Sequence, residues 1–440
     1  HGRGYWVTDL METAHERLIT SDLTIGGKQY LASSMRVAAG ATLTITGTIK
    51  CYEGARIIVE PHARLVIDGG TITTQCPGTR WVGIEVHGTS TQNQAGGALA
   101  TYQGKLEVKN GGTIENAYMG AVAGARIPGG DLDDWDWTKT GGIISASNST
   151  FKNCQWGVLL LPWPDPNGGL SINSTNASRF TNCTFTVDSD YPDDATFWSH
   201  AGLWRVYGIR FQGCTFNNLR PDGDFTTLGS DGLGEGIYSY DSRFYVEPRC
   251  PCNQYLEPGH YCICLDRTTF EGLDHAIQAS IGITPRGFSV TETDFVNNIC
   301  GVMATGVPGP KVTKYHFTMG GRTVPLTSED QETWGGLHRA VFTTESYSTR
   351  IDDNVIEMAN GAPSPAEGIV VGFVRDHGDV VFRNDAIGLT NAYVAEGVNA
   401  DPDNKTHVGL WWLCNDNVGN DQDFWNRYPG DLVPDDAPNA

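Results

Sequence analysis

Basic residues are scarce. Lys and Arg number 30 against 51 Asp and Glu, a formal charge of −21. Affinity for a phosphate backbone comes from clustered Lys and Arg, so nucleic acid is excluded as a partner. Docking on anionic lipid is disfavoured for the same reason. No apolar run approaches the roughly 18 residues a membrane helix needs, so no membrane span is expected. Residues 1–20 contain no signal-peptide core, and the chain opens on His1 rather than Met, which reads as a mature or trimmed polypeptide. A 3.6-residue apolar period is missing between Gly40 and Cys414, which excludes a helical bundle. Charged residues are only 18%, below the usual quarter. The hydrophobic share is nevertheless 39%, enough for a core, so the chain is not a disordered acidic tail.

Cysteine is plentiful but uneven. Seven of eleven stand alone: Cys51, Cys76, Cys154, Cys183, Cys214, Cys300 and Cys414. The other four form Cys250-Pro-Cys252 and Cys262-Ile-Cys264. Two disulfides or a four-thiolate metal site both fit this group, and the Cys-x-Cys spacing suits zinc less well than Cys-x2-Cys. A clustered Cys loop in an acidic, Gly-rich chain points to an extracellular protein, secreted or attached to the cell surface.

From Gly40 the chain reads as short strands separated by Gly, Asn and Asp turns. Leu43 and Ile45 alternate with Thr42, Thr44 and Thr46, the pattern of a half-buried strand. Met11–Leu18 reads as a short helix. Internal repetition decides the architecture. Leu65-Val-Ile-Asp-Gly-Gly-Thr-Ile72 is echoed by Leu106-Glu-Val-Lys-Asn-Gly-Gly-Thr-Ile114. Phe151-Lys-Asn-Cys154, Phe180-Thr-Asn-Cys183 and Phe211-Gln-Gly-Cys214 follow at spacings of 29 and 31 residues. Looser copies start at Phe270, Phe295 and Phe382. That spacing fits three short strands and three turns. It predicts an all-β, right-handed parallel β-helix, a solenoid in which each coil buries its apolar face on the next. Like residues then stack inside, and Asn side chains ladder at the corners. The expected layout is an N-terminal cap over 1–39, the β-helix over 40–415, and a C-terminal tail or link over 416–440. Long polar loop insertions interrupt the coils.

Gly40–Thr73, Trp81-Val-Gly-Ile-Glu-Val86, the Gly-Gly-Thr-Ile copies, the Phe-x-Asn-Cys copies and Gly409-Leu-Trp-Trp-Leu-Cys-Asn415 resemble parallel β-helix modules of large secreted surface proteins of the Bacteroidetes type. The resemblance implies cargo of the type IX secretion system. Such cargo usually ends in a sorting domain, which is not seen here, so the expectation is a processed chain or one piece of a longer one.

The chemistry is less legible. Hydrolysis of a glycosidic bond needs two carboxylates, an acid and a base or nucleophile. Asp352-Asp353-Asn354 and Asp376-His377-Gly378 match the polygalacturonase pattern only in part, since the Asn-Thr-Asp and Arg-x-Lys elements are missing. Asp352, Asp353, Asp376 and His377 are therefore the only catalytic candidates, and turn capping explains the first two equally well. Asp131, Asp133, Asp134 and Asp136 are dense enough for a structural calcium ion. So are Asp188, Asp190, Asp193 and Asp194, and also Asp401 and Asp403. Trp135, Trp137, Trp163, Trp198 and Trp334 lie in polar insertions, where aromatics stack on sugars or anchor protein partners. Trp81, Trp156 and Trp204 fall in strand patterns and read as core or groove. The sequence thus favours a non-catalytic surface module, a stalk or adhesin whose Trp- and Asp-rich loops bind glycan or protein. A polysaccharide lyase or glycoside hydrolase is the first alternative. A subunit self-associating into filaments through uncovered helix ends is the second.

Overall fold

The computed structural model describes residues 16–94, 102–131, 133–165, 167, 169–192, 196–225, 230–250, 266–323, 338–374, 378–399 and 409–427. The chain divides into two compact units, His1–Arg220 and Pro221–Ala440. Each is a parallel β-helix. Within each unit, one strand of a coil pairs with its counterparts in one parallel sheet, and the other strands pair in a second.

In the first unit, Thr42–Ile45, Arg64–Asp68 and Lys105–Lys109 pair in register, so Leu43 lies over Leu65 and Leu106, and Ile45 over Ile67 and Val108. All six are buried. At the corner that follows, Gly70 and Gly112 pack backbone on backbone: a Cβ would meet the Ile45 carbonyl oxygen at 2.6 Å and that of Ile67 at 2.7 Å respectively. Steric exclusion of a side chain is thus the origin of the repeated Gly-Gly-Thr-Ile.

The coils begin ahead of Gly40. Arg17–Ile19 pairs with Ser34–Val37, Leu23–Ile25 with Thr42–Ile45, and Lys28–Leu31 with Thr48–Cys51. The described part of the expected cap is therefore β-helix, and Arg17 and Leu18 are strand rather than helix. Residues 11–15 lie outside the described residues. This coil hid in the sequence because Lys28, Gln29 and Tyr30 are exposed, so it lacks the alternation of its neighbours. The second unit shows the same at its end. Leu410–Leu413, Asp416–Val418 and Gln422–Arg427 pair with Asp379–Phe382, Asp385–Ile387 and Asn391–Glu396, so the described part of the expected tail continues the coils.

The Phe-x-Asn-Cys copies are not all equivalent. Phe180 stacks on Phe211 at 5.0 Å. Phe151 pairs with Phe185 instead of Phe180, with rings 4.9 Å apart and 6° from parallel, and Phe185 stacks on Phe216 at 4.8 Å. Cys183 lies beside Ser149. The corner sets this register: Asn182 Nδ2 donates to Asn148 Oδ1 at 2.7 Å, and Asn148 precedes Phe151 whereas Asn182 follows Phe180.

In the second unit Phe270, Phe295 and Phe317 stack at 5.3 and 4.5 Å. Phe382 does not join a stack; Val381 points inward in its place, and the Arg383 guanidinium lies 4.7 Å from the Phe382 ring. The Asn ladder is complete at Asn354, Asn384 and Asn415. Asn354 Nδ2 donates to Asn384 Oδ1 at 2.6 Å, and Asn384 Nδ2 to Asn415 Oδ1 at 2.9 Å. Each Oδ1 also accepts a backbone N–H, from Tyr315, Asn354 and Asn384 in turn. Corner groups that a turn would leave unmet are thereby satisfied.

His200 of the first unit is a core residue. Its ring packs 4.7 Å from Phe197, and its Nε2 donates to the Asn217 carbonyl at 2.9 Å. Burial pushes its pKa down to about 3. In the second unit burial likewise lowers His338 to about 4, with Asp274 and Asp222 opposing the shift.

Two outcomes follow for stability. Phe185→Ala removes the middle ring of a stack and lowers the unfolding free energy by about 3–5 kcal/mol in urea titrations, whereas Phe382→Ala changes it by under about 1 kcal/mol. A histidine whose folded pKa lies below its unfolded value of about 6.5 contributes stability present above that pH and lost as pH falls toward the folded pKa. The urea midpoint therefore drops between about pH 6.5 and pH 4, and His200→Gln flattens that slope.

Candidate functional site

The first unit carries a built surface on the outside of its sheet. Met119, Val122, Leu159 and Leu161 form a buried apolar cluster there, covered by Trp135 and flanked by Trp156. Trp135 arrives on a short antiparallel hairpin, in which Ala125 pairs with Asp136 and Arg126 with Trp135.

A buried charge cluster anchors the hairpin. Glu85 projects from the strand Trp81–Val86 and is almost wholly buried. It accepts the Arg126 backbone N–H at 3.3 Å, His87 Nε2 at 3.1 Å and Arg56 Nη1 at 3.3 Å, with Arg126 Nη1 at 3.7 Å. Burial alone would raise the Glu85 pKa; the His87 hydrogen bond and the Arg126 and Arg56 charges outweigh it and hold the carboxyl below its ordinary value. The Arg126 guanidinium rests 5.6 Å from the Trp135 ring.

The hairpin delivers Trp137. Asp136 caps the turn Trp137–Lys139 by accepting the Thr138 N–H at 3.1 Å, and Gly88 and Ser90 donate to the Lys139 and Thr138 carbonyls. Trp137 is 49% exposed and meets Trp204, 38% exposed, edge to face at 5.6 Å. A second pair forms at the other end of the strand Ser199–Trp204. Trp198, 51% exposed, stacks on Trp156 with rings 6.4 Å apart and 7° from parallel. Gly202 makes room for this ring, since a Cβ there would meet Trp156 at 2.7 Å. Trp198 and Trp204 themselves are six residues apart, about 20 Å along the extended backbone at about 3.3 Å per residue, while the Trp156 ring reaches along the strand as far as Gly202. Polar groups flank Trp137 in the chain: Lys139 Nζ lies 3.5 Å from Asp136, and Thr138 Oγ1 donates to the same carboxylate at 2.6 Å.

Of the Trp residues expected to bind ligand, Trp137 and Trp198 present open rings. Trp135 is buried as the hairpin's anchor. Trp163 is also buried, with its Nε1 donating to the Gln92 carbonyl at 3.1 Å. Trp334 lies outside the described residues. Trp156 and Trp204, read from sequence as core or groove, are outer-face residues, while Trp81 is core.

The acidic candidates are engaged locally. Asp134 accepts the Asp131 N–H at 2.9 Å, Asp136 caps its turn, and Asp133 is exposed. Asp188 pairs with Lys152 at 2.6 Å, and Asp190 lies 3.7 Å from the same amine. Among the described residues no three His, Cys, Asp or Glu side chains converge as metal ligands. Asp352 is buried and pairs with Arg350 at 2.8 Å, and Asp353 pairs with Arg383 at 2.7 Å in a left-handed turn position. Asp376, His377, Asp193, Asp194, Asp401 and Asp403 lie outside the described residues. Cys250 is disulfide-bonded; Cys252, Cys262 and Cys264 lie outside the described residues.

The second unit sets His275, Cys300, Arg339, Glu367 and Asn391 at equivalent positions of successive coils. Both Glu367 oxygens are occupied: Arg339 Nε donates at 2.9 Å, Asn391 Nδ2 at 3.0 Å and Arg427 Nη1 at 3.1 Å. This buried carboxylate is thus held by two guanidinium groups and one neutral amide. Among the described residues no helix is long and apolar enough to cross a membrane.

No protein-family model matches the chain, and no curated protein matches it. Among solved structures, the surface protein and adhesin PfbA of Streptococcus pneumoniae is similar at 10% identity and a TM-score of 0.29, over 96% of this chain and 94% of that one. A second structure of that adhesin covers 91% of this chain and 85% of its own, at 10% identity and a TM-score of 0.29. At that score the likeness carries no inference about this chain.

The anchoring role of Glu85 is testable. Glu85→Gln removes the charge facing Arg126 and costs about 3–5 kcal/mol of stability. It also frees the hairpin, so Trp137 becomes more accessible to acrylamide quenching; a stable variant with unchanged quenching would remove Glu85 from this role.

Proposed function

We propose that the chain is a non-catalytic, secreted surface module that adheres by binding a glycan across the outer face of its first unit. The observation that carries this reading is the two open aromatic platforms of the first unit, Trp198 on Trp156 and Trp137 against Trp204, at the two ends of the strand Ser199–Trp204. Indole faces stack on the C–H faces of sugar rings, and two platforms on one face suit a chain of sugars that touches both. Trp137 is flanked in the chain by Asp136, Thr138 and Lys139, and polar groups beside an open ring favour a sugar over a protein partner, whose binding would want a dry apolar centre. The pairing of Asp352 with Arg350, Asp353 with Arg383 and Glu367 with Arg339 and Arg427 supports the non-catalytic half of the reading, and the secreted setting rests on the composition and the sequence resemblance.

Trp198→Ala and Trp137→Ala are each expected to weaken oligosaccharide binding by at least about 2 kcal/mol, roughly thirtyfold. The double variant should lose detectable binding while keeping the wild-type far-UV spectrum. Calorimetry on oligosaccharides of increasing length checks this. Affinity that ignores length, or survives both substitutions, would sink the proposal. Release of reducing ends or unsaturated products would restore the enzyme alternative.

A further inference from the structure

Arg80 closes the turn before the strand Trp81–Val86. Its side chain is only 7% exposed. Among the described residues it forms no ion pair, and its Nε and Nη2 have no hydrogen-bond partner. These two N–H groups lie on one edge of the guanidinium plane and point in parallel. That edge takes both oxygens of a carboxylate or sulfate at once. Aromatic rings sit close by instead: the guanidinium carbon is 4.4 Å from the Tyr191 ring centroid and 5.9 Å from that of Tyr118. A second buried guanidinium, Arg220, lies 4.8 Å from the same Tyr191 ring. Burying a cation without an anion is strongly unfavourable, and ring contacts return only part of the loss. A site so arranged is incomplete until an anion enters.

Its position ties it to the aromatic face. The Gln155 N–H donates to the Ala117 carbonyl at 3.0 Å, and the Trp198 N–H donates to the Gln155 carbonyl at 3.1 Å. Tyr118, Gln155 and Trp198 thus stand at one edge of successive coils, with Arg80 beside Tyr118 and Trp198 stacked on Trp156. Charge also permits it. Residues 1–220 hold 17 Lys and Arg against 19 Asp and Glu, whereas residues 221–440 hold 13 against 32. Most of the net negative charge, which would repel a polyanion, therefore belongs to the second unit.

We propose that the glycan taken by the Trp face is acidic, and that the Nε/Nη2 edge of Arg80 receives the carboxylate or sulfate of one of its sugars. This rests on the glycan reading above. Arg80 is shielded from water in the free chain, so the anion enters as neighbouring side chains give way.

The test compares wild type, Arg80→Met, Arg80→Lys and Trp198→Ala by calorimetry, using matched neutral, uronate-containing and sulfated oligosaccharides. Wild type should prefer an acidic oligosaccharide to its neutral counterpart by on the order of tenfold. The uronate and sulfated arms identify which anion is read. Arg80→Met should abolish the preference and leave neutral binding intact, while Trp198→Ala weakens both. Arg80→Lys keeps the charge but loses the paired edge, and should lose most of the preference even if the Met variant fails to fold. The ligand-free Tm separates a binding role from a structural one: Arg80→Met should hold or raise it, because an uncompensated cation is gone. Equal affinity of wild type for neutral and acidic sugars would overturn the proposal. So would a preference that survives in Arg80→Met or Arg80→Lys. If wild type binds no oligosaccharide, the glycan reading fails by itself. Free glucuronate and sulfate then decide the anion site: a rise in wild-type Tm that is absent in Arg80→Met sustains it, and no rise overturns it.

Discussion

Registered parallel pairing between coils is the constraint on which the rest depends. Each strand meets its counterpart one coil away, so a residue type chosen at one level is repeated at the next. Phenylalanines become columns, asparagines become ladders, and glycines recur where two corner backbones touch. No single coil has an inside of its own; the core exists only between neighbours. This accounts for His200 sitting uncharged among phenylalanines at a position where the coil below has Gly157.

The same pairing makes the outside of the sheet a rigid stage. Its rows are as regular as the inner ones, and the two units use them differently. In the first, Met119, Val122, Trp156 and Leu159 are apolar neighbours across two coils and support the hairpin held by Glu85. In the second, a row holds Arg339, Glu367 and Asn391, where the first pairs with the carboxylate and the last donates a hydrogen bond to it. One arrangement leaves ring faces open, and the other closes its charges on themselves.

The sequence displayed the repeating architecture because inward residues recur in register: Leu43, Leu65 and Leu106, or Phe270, Phe295 and Phe317. It misplaced the offset of Phe151, because the corner residue Asn148 fixes that register and no residue type distinguishes a corner Asn from the Asn that follows a Phe. It also hid the coils starting at Arg17 and ending at Arg427, whose exposed strands carry little alternation. For the site, Trp137 and Trp198 stood out because an aromatic in a polar insertion is conspicuous. Trp156 and Trp204 did not, since a Trp in a strand reads as core until the outward rows are known. Trp135 misled for the converse reason: a loop lying on a sheet needs an apolar foot, and this Trp is that foot. Arg80 could not be found at all from sequence, because its distinction is the partner it lacks.

Division of labour between corners and insertions has an evolutionary consequence. The corner glycines, the ladder and the stacked rings specify how one coil lies on the next, and they are indifferent to how far the chain travels between strands. Loop length and loop content are therefore free to drift. A descendant can exchange the segment carrying Trp137 for another and inherit a new specificity on an unaltered frame, provided it keeps a residue to stand where Trp135 stands. Diversification in such a lineage would proceed by replacing loops, with the coils as the conserved inheritance.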